Sequence, residues 1–315
     1  MMNILNPIDN PIFYEVLYRA LIVYLLGFAL IFALNKFKLK CIWSTNVGQR
    51  YLSWLLIGPI YLVAVFLGGN LSLLVLAIIL FIAIWEISII SRLPKLYIIA
   101  LYGLSCYSIF IAKLHPTFFY SLPLVYYLIF SIIAVRQNDD KKGLFNISLS
   151  MYVSIWLIFS LTHFVLLGKL SDELDTTRSL LLLVGFAVPL SDIFAYVVGR
   201  FFNKIGFLDK YKIASNLSKN KTYIGTLGNI IGGLFGIWIM YFSLKTYLPW
   251  YHWVAIGIII GVMGVMGDIT ESMFKRYFKV KDSSHLIPGH GGILDRIDST
   301  LRVIVIIYYY LLFFL

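Results

Sequence analysis

Ten apolar stretches, each close to the length of a bilayer-crossing helix, constrain this chain more than any other feature. A helix needs about 20 mostly apolar residues to cross the hydrocarbon core of a membrane. The chain is 60% hydrophobic and only 13% charged, whereas about a quarter of the residues in a soluble domain are charged. The sequence therefore predicts an all-α, polytopic integral membrane helical bundle of about ten transmembrane helices. The predicted spans are 13–35, 51–68, 71–91, 95–113, 117–135, 145–168, 179–199, 222–244, 250–267 and 299–315.

The distribution of positive charge tests this helix count independently. The chain has 26 lysines and arginines and a net charge of +11. In a ten-helix topology all but five of them fall in alternate loops, the exceptions being Arg19, Lys113, Lys169, Arg178 and Lys245. Cytoplasmic loops of membrane proteins carry such an excess of basic residues. We therefore predict that these loops are cytoplasmic, that both termini lie outside, and that the positive charge serves membrane topology rather than a nucleic-acid partner.

The chain divides into two regions by the character of its loops. Residues 1–180 are predicted to form N-terminal transmembrane helices, and 181–315 a C-terminal catalytic transmembrane region. The second region contains the two longest polar loops, 200–221 and 268–298, both on the predicted cytoplasmic side. Long ordered connections usually carry function, so we expect the site between these loops.

Glycines recur at intervals of four in two helices of the C-terminal region. The eighth span contains Gly228, Gly232 and Gly236, and the ninth contains Gly257 and Gly261. Small residues at this spacing allow helices to approach closely in lipid. The pattern predicts tight helix packing rather than chemistry at the glycines.

Acidic residues concentrate in the same region. Charged side chains within a membrane protein are costly and mark functional sites. Carboxylates that converge from two helix ends suit Mg²⁺, which takes one or two from a protein and leaves room for substrate phosphates. Neighbouring lysines and arginines suit phosphate oxygens. The acidic residues concerned are Asp192 in the seventh span, and Asp268, Glu271, Asp282, Asp295 and Asp298 beyond residue 267.

The spacing of these residues suggests how they meet. If the ninth helix continues past its span, Glu271 and Lys275 share a face, as Asp268 and Ser272 do. The stretch 285–292 is rich in glycine and contains a proline, so its backbone N–H groups could approach a phosphate. Singly, each residue has a plainer explanation, such as a helix cap or a solvated face. Glu86, in the third span, is expected to pair with a basic group inside the bundle.

The order of these residues resembles the signature of the phosphatidate cytidylyltransferase family, also called CDP-diacylglycerol synthases. That pattern runs from a serine through Lys-Arg and Lys-Asp to His-Gly-Gly and Asp-Arg-x-Asp. The matching residues are Ser272, Phe274, Lys275, Arg276, Lys281, Asp282, Ser284, Pro288, His290, Gly291, Gly292, Asp295, Arg296 and Asp298.

Two shorter blocks extend the resemblance upstream. The run from Ser191 to Arg200, which contains Asp192, is similar to an Asp-x-x-Ala-Tyr…Gly-Arg element of the family. The run from Ser218 through Lys221 and Thr222 to Gly225 is similar to its Ser-Pro-x-Lys-Thr-x-Glu-Gly element. The second block departs from the family at Lys219 and Ile224. The resemblance covers 185–315, and over 1–180 it is one of hydrophobic architecture with the pair Trp85-Glu86 in common.

The resemblance implies conversion of CTP and phosphatidic acid to CDP-diacylglycerol and pyrophosphate with Mg²⁺, and leaves open a second cation. It implies that Asp268, Asp295 and Asp298 hold the metal and that Ser272, Lys275 and Arg276 contact phosphates. It also implies a bacterial plasma membrane protein with its active site on the cytoplasmic face. The other residues expected to bind substrate are Asp192, Ser218, Lys221, Thr222, Lys281, Asp282, His290, Gly291, Gly292 and Arg296.

Three other interpretations are compatible with parts of the sequence. The departures at Lys219 and Ile224 are compatible with a divergent paralogue that uses another lipid phosphate. A transporter would place polar groups such as Asp192 and Glu86 along a path near the bilayer midplane, whereas here most of them cluster in two loops. A catalytically inactive relative would not be expected to retain Asp-Arg-x-Asp. The sequence is compatible with more than one oligomeric state, including a homodimer.

Overall fold

The computed structural model describes residues 10–34, 45–138, 141–173, 178–205, 212–218, 221–244, 248–287 and 291–315. Across these residues the chain forms ten long helices and no strand, with backbone pairing between extended segments limited to two isolated bridges. A π-helical segment, Ser154–Phe159, interrupts the sixth helix. The helices are α1 (Phe13–Leu34), α2 (Asn46–Leu67), α3 (Gly69–Ser91), α4 (Lys95–Leu114), α5 (Leu122–Gln137), α6 (Gly143–Glu173), α7 (Ser179–Ile205), α8 (Tyr223–Leu244), α9 (Trp250–Tyr277) and α10 (Leu294–Phe314).

The predicted fold class is confirmed, because each predicted span coincides with one of these helices. Seven helices in the described parts of the chain are long and apolar enough to cross a membrane, namely α3, α4 and α6 to α10. The apolar stretches Tyr51–Leu67 of α2 and Leu122–Gln137 are shorter. The protein is therefore a polytopic helical membrane protein.

The helices around the predicted polar loops are longer than the sequence predicts. Helix α7 continues to Ile205 rather than ending at 199, α9 continues to Tyr277 rather than ending at 267, and α10 begins at Leu294. Much of the predicted loop 268–298 is thus helical. The polar residues of α9 do not end the helix, because they form ion pairs within the protein. Lys275, for example, pairs with Glu271 of the same helix and with Asp295 of α10.

Helices α7, α8 and α9 pack closely through the predicted glycines. Gly228, Gly232 and Gly236 of α8 lie against the backbone and small side chains of α7, around Ala195, Ser191 and Ala187. Gly257 and Gly261 of α9 lie against the backbone of α8. Because backbones meet without intervening side chains, these helices are held at short separation, as the glycine pattern predicts.

Helix α3 belongs to the buried core of the N-terminal region. Its residues Leu80, Ile84 and Ile87 are fully buried and pack in one cluster with Tyr97 and Leu101 of α4. Helix α10 lies against α6 as well as α9. The end of α3 predicted to be cytoplasmic lies next to the start of α10, where Glu86 accepts from the N–H groups of Ile293 and Leu294.

The glycine contacts make a stability prediction for the α7–α8 interface. Replacing Gly232 by alanine would place a methyl group against Leu190 O and the Cα of Ser191. Overpacking of this kind costs about 1–3 kcal/mol. We expect a lower midpoint of thermal unfolding in detergent, measured as the loss of monodisperse protein after heating.

Gly103→Ala is the matched control for Gly232→Ala. Gly103 is also helical, but a Cβ there meets nothing within 4 Å. Because alanine is a better helix former than glycine by about 1 kcal/mol, we expect an unchanged or higher midpoint. Equal effects at the two positions would contradict the close approach of α7 and α8.

Candidate active site

One cavity of about 950 Å³ brings polar residues of the C-terminal region together with apolar residues of several helices. Its polar wall includes the side chains of Lys221, Thr222, Ser272 and Arg296, along with the carboxylates described below. Its apolar wall is formed mainly by α2, α3, α6 and the first half of α7. Leu181 and Asp192 both line it, about 16 Å apart along α7 at 1.5 Å per residue. The cavity thus joins this charged end to a long apolar section, and a second set of charged residues, Lys113, Lys169, Asp172 and Arg178, lines it as well.

The first polar group in the cavity wall is organised by a hydroxyl, and we call it the Ser299 cluster (Asp192, Lys221, Asp268, Asp298 and Ser299). Ser299 Oγ lies 2.9 Å from Asp268 Oδ1 and 3.4 Å from Asp192 Oδ2. The backbone N–H of Ser299 donates to Asp298 Oδ1 at 2.8 Å. Lys221 forms an ion pair with the other oxygen of Asp268. Residues from α7, α9, α10 and the segment before α8 therefore converge on one point.

Close helix packing explains why the Ser299 cluster can form. Gly267, directly before Asp268, lies against Asp298 O and the Cα of Ser299, so that a side chain at 267 would separate α9 from α10. On the opposite side, Asn229 of α8 donates from Nδ2 to Asp192 Oδ1 at 3.3 Å. The same amide lies 3.0 Å from Ser191 Oγ. This buried network fixes α7 against α8 at the level of the carboxylates.

The second polar group surrounds Asp295, and we call it the Asp295 cluster (Glu271, Lys275, Ser283, Gly292 and Asp295). Lys275 Nζ lies 2.6 Å from Glu271 Oε2 and 2.5 Å from Asp295 Oδ1. Asp295 Oδ2 faces three donors, the N–H and Oγ–H of Ser283 at 3.0 and 2.7 Å and the N–H of Gly292 at 2.7 Å. The carboxylate therefore ties α9, the following loop and the start of α10 together.

One carboxylate oxygen of this cluster has no hydrogen-bond partner among the described residues. Glu271 Oε1 is buried and makes no hydrogen bond within the described residues, as is the case for Arg296 Nε. Both residues line the cavity. Unpaired buried polar atoms are uncommon and call for an explanation such as an ion or substrate that completes the site.

Glu86 is a functional candidate whose environment differs from the one expected. It lies on α3, is fully buried, and contacts no basic side chain among the residues described. Its partners are the hydroxyls of Ser283 and Ser284 and the backbone N–H groups of Ile293 and Leu294. The expectation of a basic partner was wrong, because hydroxyl and amide donors satisfy the carboxylate instead.

The structure brings most of the predicted site residues to the cavity. These are Asp192, Lys221, Thr222, Asp268, Ser272, Lys275, Asp282, Gly291, Asp295, Arg296 and Asp298. Four others do not line it. The exposed Arg276 donates to Val280 O at 3.0 Å and so closes the end of α9, whereas Gly292 N–H is used by Asp295. Lys281 is exposed on the loop, and Ser218 lies in the segment before α8. Pro288, Lys219 and the predicted His290 lie outside the described residues.

The predicted metal ligands are divided between the two clusters. Asp268 and Asp298 belong to the Ser299 cluster, and Asp295 belongs to its own. Both oxygens of Asp268 and both oxygens of Asp295 already face donors. Across the described residues, no group of three or more carboxylate, imidazole or thiol side chains surrounds a single point suited to a metal ion. A site with one or two carboxylates does not need such a group, since Mg²⁺ commonly completes its shell with water and substrate phosphates.

A comparison with known protein families decides the relationship. The model of the cytidylyltransferase family matches residues 48–314, which is most of the chain. The chain belongs to the cytidylyltransferase family. The match includes both clusters, the cavity and all helices from α3 to α10.

Relatives within the cytidylyltransferase family include proteins named phosphatidate cytidylyltransferase. That of Bacillus subtilis is 28% identical over 285 residues, covering 85% of this chain and 99% of that protein. Those of Synechocystis sp. and Staphylococcus haemolyticus are 36% and 40% identical over 148 and 117 residues. These two alignments span 45% and 43% of the relatives' own lengths, so this chain matches less than half of each.

Three contributors to the site were not predicted from the sequence. Ser299 follows directly after the predicted Asp298, and Asn229 is a polar residue among the glycines of α8. Both positions were signalled by polarity inside an apolar helix, which in a membrane protein indicates a specific partner. Ser283 carries no such signal, because serine in a polar loop is ordinary.

The Asp295 cluster makes a prediction about the stability of this family member. In Lys275→Met the carboxylates of Glu271 and Asp295 lose their shared cation in a buried environment. Breaking a buried pair by removing one partner costs about 3–5 kcal/mol. We expect a clearly lower thermal midpoint in detergent, partly restored in the double variant Lys275→Met/Glu271→Gln, which removes one of the two unpaired charges.

Lys281→Met is the control for the loss of a lysine. Lys281 is exposed on the loop after α9, so its replacement is expected to leave the midpoint unchanged. If Lys275→Met were as stable as Lys281→Met, the buried ion pairs described here would be contradicted.

Proposed function

We propose that this protein transfers the cytidylyl group of CTP to phosphatidic acid, forming CDP-diacylglycerol and pyrophosphate for phospholipid biosynthesis. The observation that carries the proposal is the continuity of the cavity, in which a charged end opens into a long apolar section. A lipid phosphate needs both, because its headgroup is anionic and its acyl chains are apolar. Family membership and the names of the relatives agree with this activity.

The location that we propose is the bacterial plasma membrane, with the site at its cytoplasmic face. The loop before α8 and the loop between α9 and α10 adjoin the site and belong to the basic set of loops, and the positive-inside rule predicts that such loops are cytoplasmic. CTP is a cytoplasmic metabolite, and the phosphate of a lipid in the cytoplasmic leaflet lies at the membrane surface, at the depth proposed for the site. Both substrates would therefore reach the charged end of the cavity without crossing the bilayer.

In the proposed reaction both partners are anions, and their mutual repulsion is the main obstacle. An oxygen of the lipid phosphate forms a bond to the α-phosphorus of CTP while the bond to the bridging oxygen breaks, and pyrophosphate leaves with that electron pair. Lys221, Lys275 and Arg296 line the cavity and would bind phosphate oxygens and stabilise the developing charge. The attacking phosphate is already largely ionised near neutral pH, so we assign no general base.

We also propose that a divalent cation, Mg²⁺, binds at the Ser299 cluster. Six carboxylates line the charged end of the cavity, in Asp192, Asp268, Glu271, Asp282, Asp295 and Asp298, against the three cationic side chains named above. This excess of hard oxygen donors suits Mg²⁺. Asp268 and Asp298 would hold the ion, Asp268 by exchanging its ion pair with Lys221 for the cation, whereas Asp295 is held by Lys275 and by two loop N–H groups. When bound, the cation would neutralise phosphate charge and align the reacting groups.

Transfer of label from CTP to lipid tests the proposed activity. Purified protein in mixed micelles is supplied with CTP labelled at the α-phosphate, Mg²⁺ and phosphatidic acid, and lipid-extractable label is measured. We expect a labelled lipid with wild-type protein and loss of product when EDTA removes the cation. We expect Lys221→Ala to lower kcat/KM by about a hundredfold or more, as is typical when a charge-stabilising group is removed.

Lys212→Ala is the matched control, because Lys212 lies in the same segment, is exposed, and does not line the cavity. Its activity is expected to equal that of wild-type protein. No labelled lipid from folded wild-type protein would contradict the proposal. Label in another lipid phosphate but not in phosphatidic acid would instead identify a divergent paralogue.

A further inference from the structure

The Glu86 carboxylate contacts two parts of the chain that form the site, the loop after α9 and the start of α10. Its Oε1 lies 2.7 Å from Ser284 Oγ and 2.9 Å from Ile293 N, and its Oε2 lies 3.0 Å from Ser283 Oγ and 2.9 Å from Leu294 N. The serines belong to the loop after α9, and the two N–H groups open α10. Glu86 itself does not line the cavity.

Towards α10, Glu86 acts as an N-terminal cap supplied from another helix. The first N–H groups of a helix have no partner within it, and the positive end of the helix dipole favours an anion there. No side chain of the residue preceding α10 provides a cap. Glu86 therefore fixes the start of the helix that carries Asp295, Asp298 and Ser299.

Towards the loop, Glu86 is coupled to Asp295 through Ser283. The hydroxyl of Ser283 has one hydrogen but lies 3.0 Å from Glu86 Oε2 and 2.7 Å from Asp295 Oδ2. Gly292 packs so closely beside this group that a Cβ would overlap Ser283 Oγ and both oxygens of Glu86. The loop, the cap and the Asp295 cluster thus form one tightly packed unit.

We propose that Glu86 is a positioning residue for the transfer reaction. It acts through Ser283 and the start of α10, which set the place of Asp295 and, through Asp295, that of Lys275 in the cavity wall. The proposal rests on the transfer activity proposed above. Because Glu86 reaches no substrate, its role is to keep the reacting phosphates aligned rather than to bind them.

Glu86→Gln tests this role with little change in shape. The amide replaces one of the two acceptor oxygens by an NH₂ group, which is a donor. This NH₂ group then faces a backbone N–H donor that it cannot pair with. We expect kcat for cytidylyl transfer to fall at least tenfold while KM for CTP stays within threefold, because the groups that line the cavity remain. Ser284→Ala removes one of the four contacts and is expected to lower kcat in the same direction by a smaller factor.

Ser108→Ala controls for the loss of a buried hydrogen bond elsewhere. Its hydroxyl contacts Leu104 O and Tyr126 OH in the N-terminal core, away from the cavity. This variant is expected to keep the wild-type kcat per folded protein. A kcat in Glu86→Gln that falls only in proportion to the folded fraction, as a purely structural defect would cause, overturns the proposal.

Tryptic cleavage gives a readout that does not depend on activity. Lys279 and Lys281 are exposed on the loop that Glu86 holds, and Lys141 and Lys142 are exposed on the loop before α6, which Glu86 does not contact. In Glu86→Gln we expect severalfold faster cleavage at the first pair and an unchanged rate at the second. If wild-type protein is inactive but Glu86→Gln shows this cleavage pattern, only the transfer activity is refuted. If Glu86→Gln is cleaved at the wild-type rate at both pairs, the positioning role of Glu86 is refuted.

Discussion

The burial of carboxylates within a membrane protein is the constraint on which this structure depends. Asp295, Glu86 and Glu271 lie in largely buried positions where an ionised group without partners would be severely destabilising. Asp295 is satisfied by Lys275 and the backbone N–H groups of Ser283 and Gly292, and Glu86 by the Ser284 hydroxyl and two backbone N–H groups. The single hydrogen of the Ser283 hydroxyl lies between the two carboxylates. Satisfying these carboxylates determines where the loop after α9 runs and where α10 begins.

Close packing of backbones supplies the other half of the site. The glycines of α8 and α9, with Gly267, bring four helices near enough for short side chains to meet at Ser299. Asp192 and Asp268 are thereby placed beside one hydroxyl although they lie on different helices. The charged end formed in this way adjoins the apolar section of the same cavity, which is the arrangement that a lipid phosphate requires.

The sequence predicted the helices and the composition of the site better than its internal geometry. Apolar length predicted the positions of ten long helices, seven of which are long and apolar enough to cross a membrane in the described parts of the chain, because a bilayer of fixed thickness sets their length. The predicted end of α9 was ten residues too early, at 267 rather than Tyr277, because the polar residues beyond 267 were interpreted as the end of the span. Glu86 was misjudged because a contact with residues some 200 positions away leaves no local pattern. Ser299 and Asn229 were missed although each is a polar residue within an apolar helix, because the sequence does not show which partners they meet.

Competition between two phosphate acceptors tests the use of the joined cavity most directly. Labelled CTP and Mg²⁺ are supplied to the wild-type protein in micelles with equal amounts of phosphatidic acid and glycerol 3-phosphate, which has the same phosphate without acyl chains. If the apolar section binds acyl chains while the charged end binds the phosphates, label will enter the lipid and essentially none will enter glycerol 3-phosphate. Equal labelling of both acceptors, or labelling of neither, would contradict this use of the cavity.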